Sequence, residues 1–319
     1  MTVNALIHLP PRSYRRRPVP TPLGISRPCD GRGSRASKGW RLIQCFPQAI
    51  FSSHRVLLAF CAGALLLLGG CGTLVQVPLS AQVNASRVTL AEAERGYARV
   101  LQRHVNDQGE VDFAALRADA SDARIRALES YVTAISATQL DAAPTASARL
   151  AHMINAYNAL SMYNVIDSII PQSHDGFAKV KFFLLRKFVI GGTAMSLYAF
   201  ENDIIRKLNE PRVHFALNCS AVSCPALPRV PFSNDALNEE LDRETKKFFA
   251  HPENLRIDDT QRTVFFNEIL KFYTEDFTPA HAQNLLAYAQ RYSSKSIPLH
   301  YAVAFSRYDW TIANSKRVR

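Results

Sequence analysis

The stretch TASARLAHMINAYNALSMYNVIDSIIP, residues 145–171, limits the possible folds of this chain more than any other segment. Its apolar side chains recur at helical spacing and cover nearly the whole circumference of the predicted helix. A helix that is apolar on every side has to be enclosed by other elements. Asn155 and Asn158 lie within it and must therefore find hydrogen-bond partners in the interior. The sequence thus predicts a buried central helix.

Helical periodicity also marks shorter segments on both sides of this helix. Residues 86–105 carry an apolar stripe on one face, and Thr89 is the expected N-cap. Ser196 is the expected cap of another helix, which Pro211 ends. Further helices are predicted near residue 112 and at 122–137, 234–250, 267–276 and 280–292.

Strands are predicted in fewer places. KFVIGGTAMSL (187–197) predicts a hairpin, because two glycines at its centre allow the positive φ angles of a two-residue turn. RVHFALN (212–218) alternates apolar and polar residues, as a strand does, and 255–258 and 263–266 form a possible pair. The mixture predicts an α+β fold, a single helix-rich globular domain with a small antiparallel sheet.

The charge distribution argues against a nucleic-acid partner. The chain of 319 residues has a formal net charge of +11. Residues 1–55 hold ten Lys and Arg side chains and one acid, Asp30, whereas residues 71–319 hold 28 basic and 26 acidic side chains. Phosphate binding requires a cationic surface, which the nearly balanced part of the chain does not provide.

An apolar run at VLLAFCAGALLLLGGC, residues 56–71, indicates export. It is too short to cross a hydrocarbon core of ~30 Å comfortably, but it suits the apolar region of a signal peptide. Its end, from Leu68 to Cys71, resembles the bacterial lipobox. That resemblance implies a lipid on Cys71 and a membrane-anchored protein facing the periplasm, with the outer membrane favoured by Gly72. An uncleaved membrane anchor is the alternative.

These features divide the chain into four parts. Residues 1–55 are expected to be a disordered basic leader, and their position before a signal segment suggests a gene start assigned too far upstream. Residues 56–71 form the predicted lipoprotein signal, and 72–85 a tether. The globular domain is predicted over 86–319.

The segment HFALNCSAVSCPAL, residues 214–227, carries the residue types best suited to chemistry. In an oxidising compartment, Cys219 and Cys224 are expected to form a disulfide, which is the leading interpretation. In a second interpretation Cys219 is a nucleophile and His214 its base, with Asn155 or Asn158 orienting the histidine. A third is metal binding, but the spacing does not match that of zinc sites and no metal is expected. No phosphate-binding loop or serine-hydrolase motif is present, so no cofactor is expected either.

Seven segments in order resemble the bacterial branch of DUF547, a family of domains of unknown function. They are GEVDFAAL (109–116), INAYNAL (154–160), IGG (190–192), SLYAFENDIIR (196–206), PRVHFALNCSAVSCPAL (211–227), FYTEDF (272–277) and YDW (308–310). The resemblance implies that the polar signature of the family falls on Asn155, Tyr157, Asn158, Glu201, Arg206, His214, Cys219 and Cys224. Of these, Tyr157, Glu201 and Arg206 are candidates for binding. Asn202, Phe113 and Phe272 depart from the usual residues of the family.

The family is similar in residue types to papain-like and transglutaminase-like folds, and it supplies no activity. Two functions are therefore kept as expectations. The first is a binding or scaffolding module, whose partner is an envelope protein or a peptide. The second is a thiol-dependent amide hydrolase or acyl transferase that acts on envelope peptides or peptidoglycan.

Overall fold

The computed structural model describes residues 72–77, 88–118 and 123–316. The predicted leader, the predicted signal segment with Cys71 and most of the predicted tether lie outside this part of the chain. Within it, every helix is either too short or too polar to cross a membrane.

Helices account for most of the regular structure and strands for a smaller share. The α-helices are α1 (Leu90–His104), α2 (Phe113–Ala118), α3 (Ala123–Ala137), α4 (Ala146–Asp167), α5 (Phe177–Val180), α6 (Leu197–Ala199), α7 (Leu237–Ala250), α8 (Ile269–Phe272), α9 (Thr274–Phe277) and α10 (Leu285–Gln290). The strands are β1 (Thr73–Leu74), β2 (Arg186–Ile190), β3 (Thr193–Ser196), β4 (Leu255–Asp258), β5 (Thr263–Asn267) and β6 (Ala302–Ser306).

Non-α helical turns occur close to several of the candidate residues. Lys181–Leu185 and Phe200–Ile205 are π-helical, and the second of these contains Glu201. Arg206–Leu208 and Pro211–Phe215 are 3₁₀ helices. Short π-helical turns are found frequently at functional sites.

The described strands form two three-stranded sheets, each with one parallel and one antiparallel pair. In the first sheet β2 lies between β1, which is parallel to it, and β3, which forms the predicted hairpin with it. Gly191 and Gly192 make the turn with φ angles of +55° and +79°. In the second sheet β5 lies between antiparallel β4 and parallel β6. The predicted α+β class is confirmed, and the sheets are mixed rather than purely antiparallel.

The predicted central helix is α4, which is buried continuously from Leu150 to Ile166. Both of its asparagines have the interior partners that burial requires. Asn155 donates to the Phe232 carbonyl oxygen at 2.8 Å and accepts from the Phe232 amide at 2.9 Å. Asn158 donates to the Ala216 carbonyl oxygen at 3.0 Å and accepts from the Asn218 amide at 2.8 Å. The two side chains therefore attach the 216–218 and 232 segments to the core.

The strand predicted at 212–218 is wrong. Residues Pro211–Phe215 form a 3₁₀ helix, which begins where the Glu210 side chain accepts a hydrogen bond from the Arg212 amide. Proline suits the first turn of a helix because it lacks the amide hydrogen that would be left unbonded there. A short apolar run does not distinguish a strand from a buried helical turn, and here residues 213–216 are all buried.

Candidate functional site

A small pocket lies where α4, the turn that contains Glu201, the 3₁₀ helix and the C-terminal segment meet. Its walls are largely aromatic, formed by Tyr157, Phe183, Phe272, Tyr273, Tyr308 and Trp310. The groups that could take part in chemistry are Glu201, His214, Cys219 and Cys224. About 50 Å³ is open to the centres of water-sized molecules. A single water needs roughly 10–15 Å³ by this measure, so a small ligand group fits.

The two cysteines are held side by side as free thiols. Cys219 is buried, Cys224 is partly exposed, and their sulfur atoms lie 2.9 Å apart. The intervening loop is tight, since Ser220 has a φ of +65° and the Cys224 amide donates to the Ala221 carbonyl oxygen at 3.0 Å. A disulfide requires an S–S distance of about 2.05 Å, so the predicted bond is not formed in this structure.

The two thiols differ in acidity. Burial raises the pKa of Cys224, but hydrogen bonds from the Cys219 thiol, the Tyr308 hydroxyl and nearby backbone amides outweigh burial and lower it. For Cys219, the hydrogen bond to Cys224 and burial both raise the pKa well above the usual value. The pair therefore keeps a proton on Cys219 and favours a thiolate at Cys224, which is the nucleophilic form.

Tyr308 contacts the Cys224 sulfur through its hydroxyl. Its hydroxyl donates to the Cys224 sulfur at 3.1 Å and lies 3.9 Å from the Cys219 sulfur. Burial raises the pKa of Tyr308 well above its usual value, so the hydroxyl remains a donor. The C-terminal segment is attached to the cysteine loop because the Asp309 amide donates to the Ser223 hydroxyl at 2.9 Å.

His174 supports the same loop from the other side. Its Nε2–H donates to the Cys219 carbonyl oxygen at 2.9 Å. Burial lowers the pKa of His174 to about 4, so the ring is neutral near pH 7. A neutral imidazole with Nε2 protonated suits this contact, because a carbonyl oxygen only accepts.

His214 belongs to a separate ionic network. Its Nε2–H donates to Asp276 Oδ2 at 2.7 Å, and its ring stacks on Tyr273 at a centroid distance of 3.9 Å. Arg206 donates to both oxygens of Asp276, at 2.6 and 2.8 Å. Burial alone would raise the pKa of Asp276, but hydrogen bonds from His214 and Arg206 hold it well below its usual range.

The pairing proposed between His214 and Cys219 is not observed as a hydrogen bond. The two residues line the same pocket. Within the described part of the chain, the side-chain partners of the sulfur atoms are each other and Tyr308, whereas His214 bonds to Asp276. A direct proton transfer between His214 and either thiol would require a substrate or a water molecule between them.

Glu201 lines the same pocket and has a tyrosine partner. Tyr157 donates its hydroxyl hydrogen to Glu201 Oε2 at 3.0 Å. Burial and the nearby Glu201 raise the pKa of Tyr157 and of Tyr273 well above the usual value, so both hydroxyls stay protonated. The Glu201 side chain is therefore fixed by one neutral hydroxyl, that of Tyr157.

Five predicted site residues meet at this pocket, namely Tyr157, Glu201, His214, Cys219 and Cys224. Arg206 contacts it through Asp276 and lies over the Tyr273 ring, 5.1 Å from the centroid. Asn155 and Asn158 bond to backbone groups and do not orient His214.

Sequence reasoning missed the contributions of Tyr273, Asp276 and Tyr308. Polar residues inside the aromatic segments FYTEDF and YDW were the available signal. No group of three or more His, Cys, Asp or Glu side chains in the described ranges is arranged to hold a metal ion.

Comparison with known families confirms the resemblance found in the sequence. Residues 140–249 match the family model DUF547, whose description is a protein of unknown function. The matched range contains both cysteines, His214 and Glu201, and it ends before Tyr273 and Tyr308. Searches of curated proteins and of solved structures returned no match.

Proposed function

We propose that this chain, whose residues 140–249 belong to the DUF547 family, carries out thiol–disulfide exchange with Cys224 and Cys219. One observation supports this proposal above the others. Two free thiols lie 2.9 Å apart at a pocket, and the partly exposed one is the more acidic. Dithiol exchange requires an accessible thiolate that attacks and a second thiol that resolves the mixed disulfide.

In the first step the Cys224 thiolate attacks one sulfur of a substrate disulfide. A mixed disulfide forms as the substrate S–S bond breaks, and the second substrate sulfur leaves as a thiolate. Cys219 then loses its proton to a departing sulfur and attacks the Cys224 sulfur, which releases the first substrate sulfur. The protein loses two electrons to the substrate, and the reverse sequence oxidises a substrate dithiol.

The surrounding groups suit these roles. The Tyr308 hydroxyl and the Cys219 amide, each 3.1 Å from the Cys224 sulfur, stabilise negative charge on it. Cys219 is buried, so its thiol reaches Cys224 more readily than an external disulfide. His174 holds the Cys219 backbone in place.

The cellular setting is part of the same proposal. The lipobox resemblance at Leu68–Cys71 supports a lipid-anchored protein that faces the periplasm, where disulfides persist. Membrane attachment through Cys71 would keep the thiol site close to proteins and peptides of the envelope.

A second candidate, thiol-dependent acyl transfer, is favoured by His214, which lines the same pocket and is hydrogen bonded to Asp276. Cys224 rather than Cys219 would be the nucleophile. Its sulfur would form a thioester as an amide C–N bond breaks, and His214 would protonate the departing amine. Water would then hydrolyse the thioester. The expected substrates are envelope peptides or peptidoglycan.

The test uses the full-length protein with Cys29, Cys45, Cys61 and Cys71 replaced by serine, reduced and freed of reductant, with the neutral compound bis(2-hydroxyethyl) disulfide. Product thiol and the mass of the protein are followed with time. We expect the wild type to end as an intramolecular disulfide. Cys219→Ser should stop at a mixed disulfide, and Cys224→Ser should react at least about tenfold more slowly.

Other outcomes identify other functions. Exchange that persists in Cys224→Ser and stops in Cys219→Ser would contradict the assignment of the attacking sulfur. A thioester with peptide substrates that depends on His214, without disulfide exchange, would identify acyl transfer instead. If the thiols react no faster than those of the denatured chain, both thiol functions are excluded. The remaining function is then a binding module, whose aromatic pocket serves only to hold a ligand.

A further inference from the structure

We propose that the Glu201 part of this pocket is a cation site, and that the substrate carries an ammonium group beside its reacting sulfur. This inference rests on the proposed thiol function for its account of the substrate. The cation site itself is argued from the geometry of Glu201, and binding of an amine tests it separately.

Glu201 is a buried carboxylate that has no ion-pair partner within the described part of the chain. It is 5% exposed, and it accepts a hydrogen bond from the Tyr157 hydroxyl. Burying an anion is costly unless a positive charge or several hydrogen bonds compensate for lost water. The Tyr157 hydroxyl compensates in part, and Glu201 lines a cavity that a cation could enter.

The basic side chains near the pocket are directed to other groups. Arg206 binds both oxygens of Asp276 and one of Glu275, and His214 also binds Asp276. Lys179 places its ammonium over the Trp310 ring, 3.5 Å from the centroid. The charge that would match Glu201 is therefore not supplied by these three residues.

The pocket walls favour a positively charged group. The faces of Tyr, Trp and Phe rings attract cations, and Tyr308 and Phe272 line the cavity together with Glu201. An anionic ligand would meet the Glu201 carboxylate there. The opening of about 50 Å³ admits a primary ammonium group more readily than a large ring.

These observations identify the substrate class as a disulfide or thiol with a nearby amine. The ammonium group would bind Glu201 while the adjacent sulfur meets Cys224.

The test compares three disulfides of similar size: cationic cystamine, neutral bis(2-hydroxyethyl) disulfide and anionic 3,3′-dithiodipropionate. The rate constant for each disulfide is divided by the rate constant for the reaction of dithiothreitol with the same disulfide. This ratio removes differences in the intrinsic reactivity of the three disulfides. We expect Glu201→Gln to lower kcat/KM for cystamine by about tenfold and to leave the neutral substrate within about twofold. The anionic substrate should react faster with Glu201→Gln than with the wild type.

Asp203→Asn is the matched control, because Asp203 lies two positions away on the same turn and is exposed. It removes the same charge and should leave all three rates unchanged. Equal losses for the three substrates in Glu201→Gln would indicate a structural effect and would overturn the cation site. Equal normalised rate constants of the wild type with the three disulfides would also overturn the cation site.

A second measurement does not depend on exchange. Ethylammonium should slow the labelling of Cys224 by iodoacetamide in the wild type and in Asp203→Asn, but not in Glu201→Gln. If the neutral disulfide fails to react at all, the proposed function fails, and this labelling result alone decides the cation site. Absence of protection by ethylammonium in the wild type would overturn it.

Discussion

Two carboxylates of this region, Asp276 beside the pocket and Glu201 within it, differ in their hydrogen-bond donors. Asp276 receives hydrogen bonds from Arg206 and His214, so positive charge is supplied from within the fold. Glu201 receives a hydrogen bond from the neutral hydroxyl of Tyr157. The first arrangement is complete without a ligand, whereas the second still offers negative charge to the pocket.

The same contrast separates the two histidines of the region. His214 is tied to a carboxylate, and His174 is buried, neutral and bonded to the Cys219 carbonyl oxygen. We therefore assign a structural role to Asp276 and its partners, and we place the groups that change charge at the two cysteines. This difference is the reason for placing the chemistry at Cys224.

The largest expected effect comes from removing the charge of Asp276. Asp276→Asn removes the charge that faces Arg206 and His214, and we expect a loss of roughly 3–4 kcal/mol in the free energy of unfolding. Denaturation by urea measures it. Glu275→Gln is the control, because Glu275 bonds to the same arginine but is largely exposed, and a loss of less than about 0.5 kcal/mol is expected. Equal losses of unfolding free energy in the two variants would show that Asp276 contributes no more to stability than the exposed Glu275.

A smaller effect concerns pH and the neutral histidine. Burial lowers the pKa of His174 to about 4 in the folded state, against 6.5 ordinarily. The unfolded chain therefore binds the proton more tightly, and stability falls as pH decreases from about 6.5 to about 4. The loss should reach about 2–3 kcal/mol at the acid end of this window.

Urea denaturation at several pH values measures this slope. In His174→Gln the amide can still donate to the Cys219 carbonyl oxygen but does not titrate. Its stability should be lower at pH 7, with most of the slope between pH 6.5 and 4 removed. A slope unchanged from that of the wild type would show that other groups cause it.

The smallest expected effect sharpens the role of Tyr308. Tyr308→Phe removes one hydrogen bond to the Cys224 thiolate, worth about 1 kcal/mol, so labelling of Cys224 by iodoacetamide near pH 7 should slow by about fivefold. Tyr301→Phe is the control, since Tyr301 bonds to Asp259 at a distance from the pocket. Equal labelling rates in the two variants would show that Tyr308 is only a packing residue.

Most of the fold could be predicted from local patterns. The apolar circumference of α4, the Gly191–Gly192 turn and the caps at Thr89 and Ser196 are signals that neighbouring residues carry, and all are confirmed. The pattern at 212–218 failed because the apolar run is too short to define a period. Strand β6 was missed because it pairs with β5, whose residues lie far away in the sequence.

The site could be predicted less completely than the fold. The cysteines and His214 were found because they lie within one short segment. Tyr308 bonds to Cys224 from 84 positions away, and Asp276 bonds to His214 from 62 positions away. Such partners depend on how the chain folds back on itself, which periodicity does not reveal. The same limit applies to the choice between Cys219 and Cys224 as the nucleophile, because the Tyr308 hydrogen bond that helps to distinguish the two thiols comes from a distant residue.

The attachment of the C-terminal segment to the cysteine loop has a consequence for the order of synthesis. A ribosome produces both cysteines long before it produces Tyr308, and the Ser223 hydroxyl has no Asp309 amide to bind until then. In a nascent chain the Cys224 sulfur thus lacks the hydrogen bond from the Tyr308 hydroxyl. The part of the pKa lowering that this bond contributes is acquired only when the last part of the domain has been made and docked.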